Sequence, residues 1–511
     1  MIEKNNGSSA EWFSVYLKEN QERAGVLDIG SNSIRLVIFR GNGVAPLPEF
    51  NEKALCGLGN DIQKTGKLSK VGRASAIENI ARFAKIIEKM NLRQLHVIAT
   101  AAVREAADGR QFVAELEKLF NFSVKILSGK EEAYFSALGV ISTFAKSKGL
   151  VCDLGGGSLE LVKIDNGRAH ECASLPIGSL RFEEINEFSR SKILSSIDEQ
   201  LDSVKWLQDV TPNSIYAIGG AWRSLARLHM EFANYDLKVI HGYSVKRPEL
   251  ESFLEQLYPI TISTKLPDDP QWSPVSSNRA KQMPIASLIL SKIMSKVNSR
   301  RVIFSAAGLR EGYLFDRIDE KEKKLDPISA GLMHIFVPSC DETNYAKELE
   351  HLICSFFPAI SPKFARLIRV ICQIRNIGRD EHPSYRAEQS YLRLLRHPTL
   401  GVTHKERVFI ATAILNRYHG ATIQAFDKGF PNIITGEEYK MASLIGLILD
   451  FGITFSGEIT GILDRVQVRV DPGKILIRYP KDIATSKGQA VTKRTLILER
   501  AFNQKISFYA V

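Results

Sequence analysis

The chain has 511 residues, of which 44% are hydrophobic and 24% are charged, and its formal net charge is +11. A single hydrophobic core stops growing beyond about 250–300 residues, so this length excludes a one-domain protein, while the composition is that of an ordinary globular chain. The positive charge favours an anionic partner, such as nucleic acid, a nucleotide, polyphosphate or an anionic lipid. Charge dispersed over a solvated surface would account for it equally well.

Three features of the sequence concern the compartment. The six cysteines contain no CxxC pair and no regular spacing, which predicts buried thiols in a reducing compartment rather than disulfides or a zinc site. The first 22 residues are polar, without the apolar segment of a signal peptide. The apolar run 441–449 ends at Asp450, and no run approaches the roughly 18 residues of a membrane span. We therefore expect a soluble cytoplasmic protein with no membrane partner.

The first part of the chain alternates strands with amphipathic helices, which is an α/β pattern. Apolar runs predict four strands, at 25–29, 34–39, 96–99 and 124–127. Between the second and third strands, one helix face at helical spacing carries Ile77, Ile80, Ala81, Ala84 and Ile87. Further helices are predicted after Arg110 and from about Lys130.

The same pattern then begins again. Strands are predicted at 150–154, 159–164, 215–218 and 302–304, with a long helix over 278–297. A charged segment, 319–325, is predicted to be a linker, and the chain from there to about Asp450 reads as helical. Alternating apolar residues on either side of the turn 471–473 predict a final β-hairpin.

These patterns predict five segments. They are an N-terminal extension (1–24), a first α/β domain (25–135), a second α/β domain (136–321), a helical domain (322–455) and a small α+β domain (456–511).

The strongest chemical signal is one motif that occurs twice. The sequence DIGSNS at 28–33 and the sequence DLGGGS at 153–158 each lie between two predicted strands, about one domain length apart. Because strand residues follow both loops, each is predicted to be a tight β-hairpin, which excludes the Walker and Rossmann loops that open a helix. The repetition suggests a duplicated domain in which each copy contributes one loop to a shared cleft.

These residue types suit phosphate. Glycine lets successive amides point into one concavity that binds anionic oxygens, and hydroxyl or amide side chains add donors. The predicted phosphate ligands are Gly30, Ser31, Asn32 and Ser33 in the first loop, and Gly155, Gly156, Gly157 and Ser158 in the second. Asp28 and Asp153, at the strand ends, are predicted to hold Mg²⁺ directly or through water. For either copy alone, an ordinary hairpin turn remains the alternative.

The two loops resemble the paired phosphate motifs of the actin/hexokinase-type ATPase superfamily. More specifically, the chain resembles the exopolyphosphatase/guanosine pentaphosphate phosphohydrolase (Ppx/GppA) family. The motifs that carry this resemblance lie at 26–35, 99–106, 127–133, 139–140, 153–160, 177–181 and 306–312. The resemblance implies an α/β fold with two ribonuclease-H-like (actin-like ATPase) domains, followed by an all-α HD-like domain and a small β-rich C-terminal domain.

The resemblance also implies roles for individual residues. It implies hydrolysis of a terminal phosphoanhydride, with Glu132 activating water, Arg104 facing the terminal phosphate and Glu160 near the metal. Each has a simpler alternative: Glu132 a first-turn residue that complements a helix dipole, Arg104 a solvated surface residue, and Glu160 a solvent-facing strand residue. The same helix-dipole explanation suffices for Glu131.

The chain departs from the family pattern in three places. Asp108 stands where the family has asparagine after the arginine motif, and the third glycine loop reads GGA at 219–221, without the usual hydroxyl. The stretch 372–378 lacks the His-Asp pair of an HD domain, so we expect no catalytic metal there. A better role for the helical domain is to hold the far end of a long anion with arginines such as Arg366, Arg369, Arg375 and Arg386. Ordinary surface charge is the equal alternative.

The resulting hypothesis is a Mg²⁺-dependent exopolyphosphatase. Guanosine pentaphosphate (pppGpp) hydrolysis is the alternative within the class, and an actin-like or sugar-kinase-type ATPase or a non-catalytic polyanion binder is the alternative outside it. No zinc pattern or RNA-recognition motif supports nucleic acid as a partner. A homodimer is an expectation from the resemblance alone.

Overall fold

The computed structural model describes residues 23–41, 44–92, 94–144, 146–181, 190–210, 213–261, 270–273, 275–335, 340–398, 401–419, 430, 433–486 and 488–511. The predicted N-terminal extension lies almost entirely outside these residues. The chain divides into two compact units, one formed by Val15–Gly331 and the other chiefly by Leu332–Val511.

The first unit begins with a five-stranded sheet. Its strands are β1 (Arg23–Ile29), β2 (Ser33–Arg40), β3 (Leu47–Leu55), β4 (Gln94–Ala99) and β5 (Val124–Ile126). They lie in the order β3-β2-β1-β4-β5, with antiparallel pairing among the first three and parallel pairing from β1 through β4 to β5. Leu27, Ile29 and Leu36 are fully buried because helices cover the sheet. Strand β3 was not predicted, since its alternating polar residues carry little apolar signal.

Helices connect and cover these strands. They are α1 (Ile62–Thr65), α2 (Lys70–Lys89), α3 (Ala101–Glu105), α4 (Gly109–Phe120) and α5 (Gly129–Ile141). Ser69 caps α2 by accepting a hydrogen bond from the amide of Gly72. The predicted apolar face of α2 is slightly rotated, because Ile80 is buried together with Ala76 and Phe83 while Ala81 lies at the edge.

A second sheet repeats the order of the first. Its strands are β6 (Gly149–Leu154), β7 (Leu159–Asp165), β8 (Arg168–Leu175), β9 (Ser214–Ile218), β10 (Tyr243–Lys246) and β11 (Arg301–Phe304). The order is β8-β7-β6-β9-β11-β10, and the first five positions match the first sheet in both sequence order and strand direction. The predicted duplication is therefore confirmed at the level of topology, although β8 and β10 were not predicted.

Helix α5 belongs with the second sheet. Ala133, Ala137 and Val140 pack in one buried cluster with Val151 and Val162. The domain boundary predicted at residue 135 would cut this continuous helix. In the structure, the chain passes from the first sheet to the second before α5 begins.

The remaining helices of this unit are α6 (Arg190–Asp202), α7 (Gly220–Phe232), α8 (Arg247–Thr261), α9 (Ser277–Ala280), α10 (Met283–Val297) and α11 (Leu309–Phe315). The helix predicted over 278–297 is interrupted, because Gln282 caps a new helix in which Pro284 occupies the first turn. The indole of Trp222 on α7 donates to the carbonyl of Ala286 on α10 at 2.8 Å.

The second unit is helical and then mixed. After α12 (Pro327–Met333) come α13 (Cys340–Ser355), α14 (Pro362–Gln373), α15 (Arg386–Arg396), α16 (His404–His419) and α17 (Gly436–Ser456). A three-stranded sheet follows, formed by β12 (Gln467–Asp471), β13 (Lys474–Tyr479) and β14 (Lys505–Ala510), with α18 (Gln489–Phe502) before its last strand. The predicted helical segment and the hairpin at 471–473 are confirmed; α18 was not located from the sequence.

Helix α17 is long and apolar enough to cross a membrane by length and composition, which the sequence reading did not anticipate. Within that window 56% of the residues are buried, and the helix packs against α16. Five cysteines of the described residues are free thiols: Cys56, Cys152 and Cys372 are buried as predicted, whereas Cys172 and Cys354 are only partly buried.

Candidate active site

The first predicted phosphate loop is a hairpin turn between β1 and β2, here called hairpin 1 (residues 30–33). Its amide at Gly30 donates to the carbonyl of Ser33 at 3.0 Å. Amides of the segment 56–59 hold the other carbonyls: Gly59 donates to Ser31 at 2.9 Å, and Cys56 and Gly57 donate to Asn32 at 3.1 and 3.0 Å. In a trans peptide the next amide points away from its carbonyl, so the amides of Asn32 and Ser33 face the opposite side.

The second loop has the same form between β6 and β7 and is called hairpin 2 (residues 155–158). Gly155 donates to the carbonyl of Ser158 at 2.9 Å. The carbonyls of Gly155, Gly156 and Gly157 accept hydrogen bonds from, respectively, the amides of Ser179 (3.0 Å) and Leu180 (2.9 Å) and the guanidinium Nε of Arg181. The amides of residues 156–158 therefore face away from the segment 179–181. The prediction that both loops are hairpins is confirmed.

The two hairpins meet. A Cβ atom placed on Gly157 would lie 3.1 Å from the hydroxyl of Ser31 and 3.3 Å from the Cβ of Ala101. Both hairpins line one cleft of about 430 Å³, together with Thr100 at the start of α3. All eight predicted phosphate ligands line this cleft, so the sequence correctly placed them in one site.

Asp28 and Asp153 lie two residues before their hairpins and also line the cleft. The Nη1 of Arg310 donates to Asp28 at 2.7 Å, and the hydroxyl of Ser136 donates to Asp153 at 2.6 Å. Burial raises the pKa of Asp153, and the negative charge of Asp28 raises it further against the opposing effect of Ser136. The two carboxylates therefore face one cleft, where Asp28 is paired with a guanidinium and Asp153 with a hydroxyl group.

Arg104 and Glu132 form an ion pair in which Glu132 lines the cleft, whereas Arg104, predicted to face the terminal phosphate, is not among the lining residues. The Nη1 of Arg104, on α3, donates to the Oε2 of Glu132 at 2.8 Å and to the carbonyl of Leu127 at 2.9 Å. Burial raises the pKa of Glu132 to about 7; Arg104 lowers it, and the charges of Asp153 and Asp28 raise it. A carboxyl group with this pKa can gain or lose a proton near neutral pH, which is what a general base requires.

Glu131 has a different role from its neighbour. It forms a capping box with Ser128 at the start of α5, and Lys125 and Ser128 lower the pKa of Glu131 to about 2. The simple helix-start explanation therefore suffices for Glu131, whereas Glu132 faces the cleft.

Glu160 does not line the cleft, which differs from its expected place beside a metal. It is paired with Asp153 across β6 and β7 and is only 2% exposed, so it is not the solvent-facing strand residue of the alternative. The hydroxyl of Ser174 donates to it at 3.0 Å. Burial and the charges of Glu132 and Asp153 raise the pKa of Glu160 well above its usual value, which favours a neutral carboxyl group. The structure thus favours Glu160 as a support behind the site.

The sequence reading missed a row of cations. Six basic side chains line the cleft: Arg35, Lys53, Arg223, Arg227, Arg279 and Arg310. Two of them, Arg35 and Arg310, occur within the motifs quoted above, but the others have no local signal. Arg35 and Lys53 are direct neighbours across β2 and β3.

These cations perturb one another. Burial and the charges of Arg310 and Arg223 lower the pKa of Arg35 to about 9. Partial burial and the charges of Arg279, Arg35 and other arginines lower the pKa of Lys53 to about 8. Positive charges that raise one another's energy are stabilised when a polyanion binds among them.

Two departures from the family pattern have structural explanations. Gly219 has φ +116°, and a Cβ there would lie 2.4 Å from the carbonyl oxygen of Leu154, so the third glycine turn survives without its hydroxyl. Asp108 accepts hydrogen bonds from the amide of Leu68 at 2.9 Å and from Arg73 at 3.0 Å. Asp108 therefore ties the loop before α4 to the start of α2. It is not among the residues that line the cleft.

The cleft fits a magnesium ion that has few protein ligands. Among the residues the structure describes, no group of three histidine, cysteine or acidic side chains is arranged to hold a metal. Asp28, Glu132 and Asp153 are the carboxylates that line the cleft, and the two aspartates lie two residues before the hairpins. Mg²⁺ commonly keeps several waters and substrate oxygens alongside one or two carboxylates.

The arginines of the helical unit are engaged elsewhere. Arg366 bonds to Glu406 at 3.2 Å, Arg369 to Glu350 at 3.0 Å, and Arg386 to the backbone carbonyls of residues 379 and 381. Arg375 is only 1% exposed and donates to the carbonyls of Glu342 and Cys372 at 3.1 Å. Arg375 therefore does not fit the expected role of holding the far end of a long anion, because its guanidinium is buried and bonded inside the unit.

Comparisons with known proteins agree with this geometry. Residues 37–321 match the model of the Ppx/GppA phosphatase family, and residues 342–509 match the model described as "Exopolyphosphatase, C-terminal". Exopolyphosphatase 1 of Mycobacterium tuberculosis is 27% identical over 327 residues, which cover 62% of this chain and 94% of that protein. Retrograde regulation protein 2 of Saccharomyces cerevisiae is 25% identical over 459 residues, covering 79% and 74% respectively.

A solved structure supports the fold. The crystal structure of an exopolyphosphatase from Cytophaga hutchinsonii matches with a TM-score of 0.51 and 21% sequence identity, covering 58% of this chain and 99% of that one. At this identity the match speaks for the fold alone.

Proposed function

The chain belongs to the Ppx/GppA phosphatase family, and on that premise we propose that it is an exopolyphosphatase, which hydrolyses the terminal phosphoanhydride of inorganic polyphosphate and releases orthophosphate. One observation carries this proposal. A single cleft is lined by both phosphate hairpins, by Glu132, which accepts a hydrogen bond from Arg104, and by six cationic side chains.

The hairpins and Arg104 account for binding of the terminal phosphate. Amides of both hairpins face the cleft, and the planar guanidinium of Arg104 can hold two phosphate oxygens and stabilise charge that develops in the transition state. Glu132 accepts a proton from the attacking water as the water oxygen bonds to phosphorus. The bridging P–O bond breaks, and its electron pair stays on the oxygen of the shortened chain.

Asp153 and Asp28 would hold Mg²⁺ beside the hairpins. A bound Mg²⁺ offsets the negative charge of the phosphate oxygens. The position of both carboxylates in the cleft lining, two residues before the hairpins, supports this assignment, although Asp28 is also paired with Arg310. Glu160, which the resemblance implied as a third metal residue, supports the site from behind instead.

The cation row favours a bare phosphate chain over a guanosine nucleotide. Arg35, Lys53, Arg223 and Arg279 line the same cleft as the hairpins, and no described residue of its lining is aromatic. A base commonly stacks on an aromatic side chain, whereas a phosphate chain needs only positive charge and donors. Hydrolysis of pppGpp remains the alternative that the assay below separates.

We also propose that the helical segment is HD-like but lacks the metal pair. Arg375 and Asn376 lie in the stretch where the family has the pair, and Arg417 donates to the Oδ1 of Asn376 at 2.9 Å. A guanidinium thus stands beside a neutral amide in this stretch. The homodimer and the cytoplasmic location stay predictions.

The decisive experiment measures phosphate release from long polyphosphate, tripolyphosphate and pppGpp side by side, with and without Mg²⁺. We expect release from long polyphosphate without ATP, dependent on Mg²⁺, and slower release from pppGpp. Faster release from pppGpp would establish the alternative activity. If the protein binds polyphosphate but releases phosphate from none of these substrates, it is a non-catalytic polyanion binder.

A further inference from the structure

One guanidinium contacts both halves of the first unit. The Nε of Arg181 donates to the carbonyl of Gly157 in hairpin 2, and its Nη2 forms an ion pair with Glu105 on α3 of the first half. The side chains of Arg181 and Glu105 are 23% and 34% exposed. The sequence motifs at 99–106 and 177–181 contain these two residues, but the proposed chemistry uses neither.

The contact with Gly157 fixes a phosphate-binding amide. Main-chain amides donate to the carbonyls of Gly155 and Gly156, with the Ser179 hydroxyl also donating to Gly155, whereas the carbonyl of Gly157 accepts from the Arg181 side chain. The carbonyl of Gly157 and the amide of Ser158 belong to one planar peptide and point in opposite directions. Arg181 therefore turns the Ser158 amide toward the cleft.

The contact with Glu105 fixes the helix that carries Arg104. Helix α3 has only five residues, and Thr100 provides no side-chain cap at its start. Glu105 and Arg104 are adjacent on it, with Glu105 bonded to Arg181 and Arg104 bonded to Glu132. Holding one side chain of so short a helix restrains the direction of the next.

Arg181 itself is outside the reaction cleft. It lines a separate cavity of about 340 Å³ with Glu105, and this cavity shares Ser31, Gly156 and Gly157 with the cleft. Arg181 is absent from the lining of the cleft that contains Glu132.

We infer that Arg181 is a positioning residue that keeps the Ser158 amide and the Arg104 guanidinium aligned on the same phosphate; this inference rests on the proposed function. An exposed ion pair alone contributes little to stability. Here the same guanidinium also orients a peptide in the site, and misplacement by about 1 Å can lower a rate by about 10²-fold.

The test compares Arg181→Ala, Arg181→Lys and Glu105→Gln with Arg247→Ala as a matched control. Arg247 and Glu251 form an ion pair of nearly equal exposure, 23% and 32%, within one helix of the second half. We expect Arg181→Ala to lower kcat on long polyphosphate about ten- to a hundredfold, with KM changed less than about threefold. Arg181→Lys should fall between Arg181→Ala and wild type, because it keeps the charge but not the planar fork.

The double variant identifies the route of the effect. Because Glu105 acts through Arg181, the double variant Arg181→Ala/Glu105→Gln should lose no more activity than Arg181→Ala alone. If the two residues acted independently, the fold losses of the single variants would multiply in the double variant. Equal kcat in Arg181→Ala and wild type, or multiplying losses, would overturn the inference. The inference would also be overturned if Arg247→Ala lowered kcat as much as Arg181→Ala does.

A second measurement does not depend on catalysis. Hydrogen exchange of the peptide spanning residues 156–158 should be faster in Arg181→Ala than in wild type or Arg247→Ala, with the thermal midpoint nearly unchanged. Unchanged exchange would overturn the inference even in an active protein. If wild type releases no phosphate while exchange responds as expected, the proposed function fails and the positioning role stands.

Discussion

The two hairpins are copies of one design that are held in different ways. Hairpin 1 is tied entirely by main-chain amides of residues 56–59, which belong to its own half. Hairpin 2 uses two main-chain amides and the side chains of Ser179 and Arg181, and Arg181 also bonds to the other half. The first phosphate loop is therefore self-sufficient, whereas the second has its full geometry only when both halves are together.

The carboxylates show the same asymmetry in reverse. Asp28 in the first half is bonded by Arg310 from the second half, whereas Asp153 is bonded by Ser136 on α5, which packs on its own sheet. Each half thus contributes one self-contained element and one that depends on the other half. Duplication followed by this exchange of contacts makes the pair of halves the working unit.

The largest expected effect is a loss of kcat when the general base is removed while both phosphate-binding hairpins remain. Glu132→Gln should lower kcat by about 10²- to 10⁴-fold, because the general base is lost while the phosphate cradle remains. Polyphosphate binding, measured by calorimetry, should stay within a few fold of wild type. Glu131→Gln is the matched control: it weakens a helix cap, costs about 1 kcal/mol of stability and leaves kcat nearly unchanged. Near wild-type turnover in Glu132→Gln would refute the site.

The comparison of the hairpins themselves is tested with one glycine behind each. A Cβ on Gly178 would lie 2.2 Å from the carbonyl oxygen of Gly156, whereas a Cβ on Gly59 would lie 3.2 Å from the Cβ of Ser31. Gly178→Ala should therefore displace hairpin 2 and lower kcat/KM by about 10²-fold, and Gly59→Ala only a few fold. Steady-state kinetics check this, and equal losses would show that the two hairpins are supported alike.

The cation row should affect binding of the chain more than its cleavage. Arg279→Ala should raise KM for long polyphosphate about tenfold with kcat nearly unchanged, because a charge-assisted contact is lost away from the reacting bond. The effect on tripolyphosphate should be smaller, and added salt should weaken the binding of long chains in wild type. Arg247→Ala again serves as the control. An equal rise in KM for long polyphosphate and for tripolyphosphate would show that Arg279 does not bind the far end of a long chain.

The smallest effect is on pH dependence. With the pKa of Glu132 at about 7, kcat/KM should rise as pH increases through neutrality, because the base must be deprotonated. Stability should change in the opposite direction: the folded-state pKa exceeds the ordinary value of 4.5, so the folded state binds more protons and is destabilised as pH rises from about 4.5 to 7. Glu132→Gln should flatten this slope in thermal unfolding. If the pH dependence of stability is the same in Glu132→Gln and wild type, the group that titrates near pH 7 is not Glu132.

Local patterns carried most of what the sequence revealed. The strands around each hairpin are short apolar runs, and the glycine turns between them follow from residues a few positions apart, so hairpins 1 and 2 could be predicted. Arg104 and Glu132 came from resemblance, because neither has a local pattern that excludes a surface role.

What could not be predicted depends on long-range register. Lys53 reaches the cleft only because β3, a strand with no apolar signal, pairs with β2 and sets it beside Arg35. Arg279 reaches it because the helix expected over 278–297 is interrupted near Pro284. Glu160 turned inward because the strand after hairpin 2 is covered on both faces, as the burial of Leu161 and Val162 also shows.

The pairing of Arg104 with Glu132 has a consequence for control of turnover. Arg104 belongs to the first sheet, through α3, and Glu132 to the second, through α5. A small separation of the two halves would part guanidinium from carboxylate without unfolding either one, so an opened molecule would be intact yet idle. In such an open arrangement Arg104 could no longer steady the carboxylate that activates water.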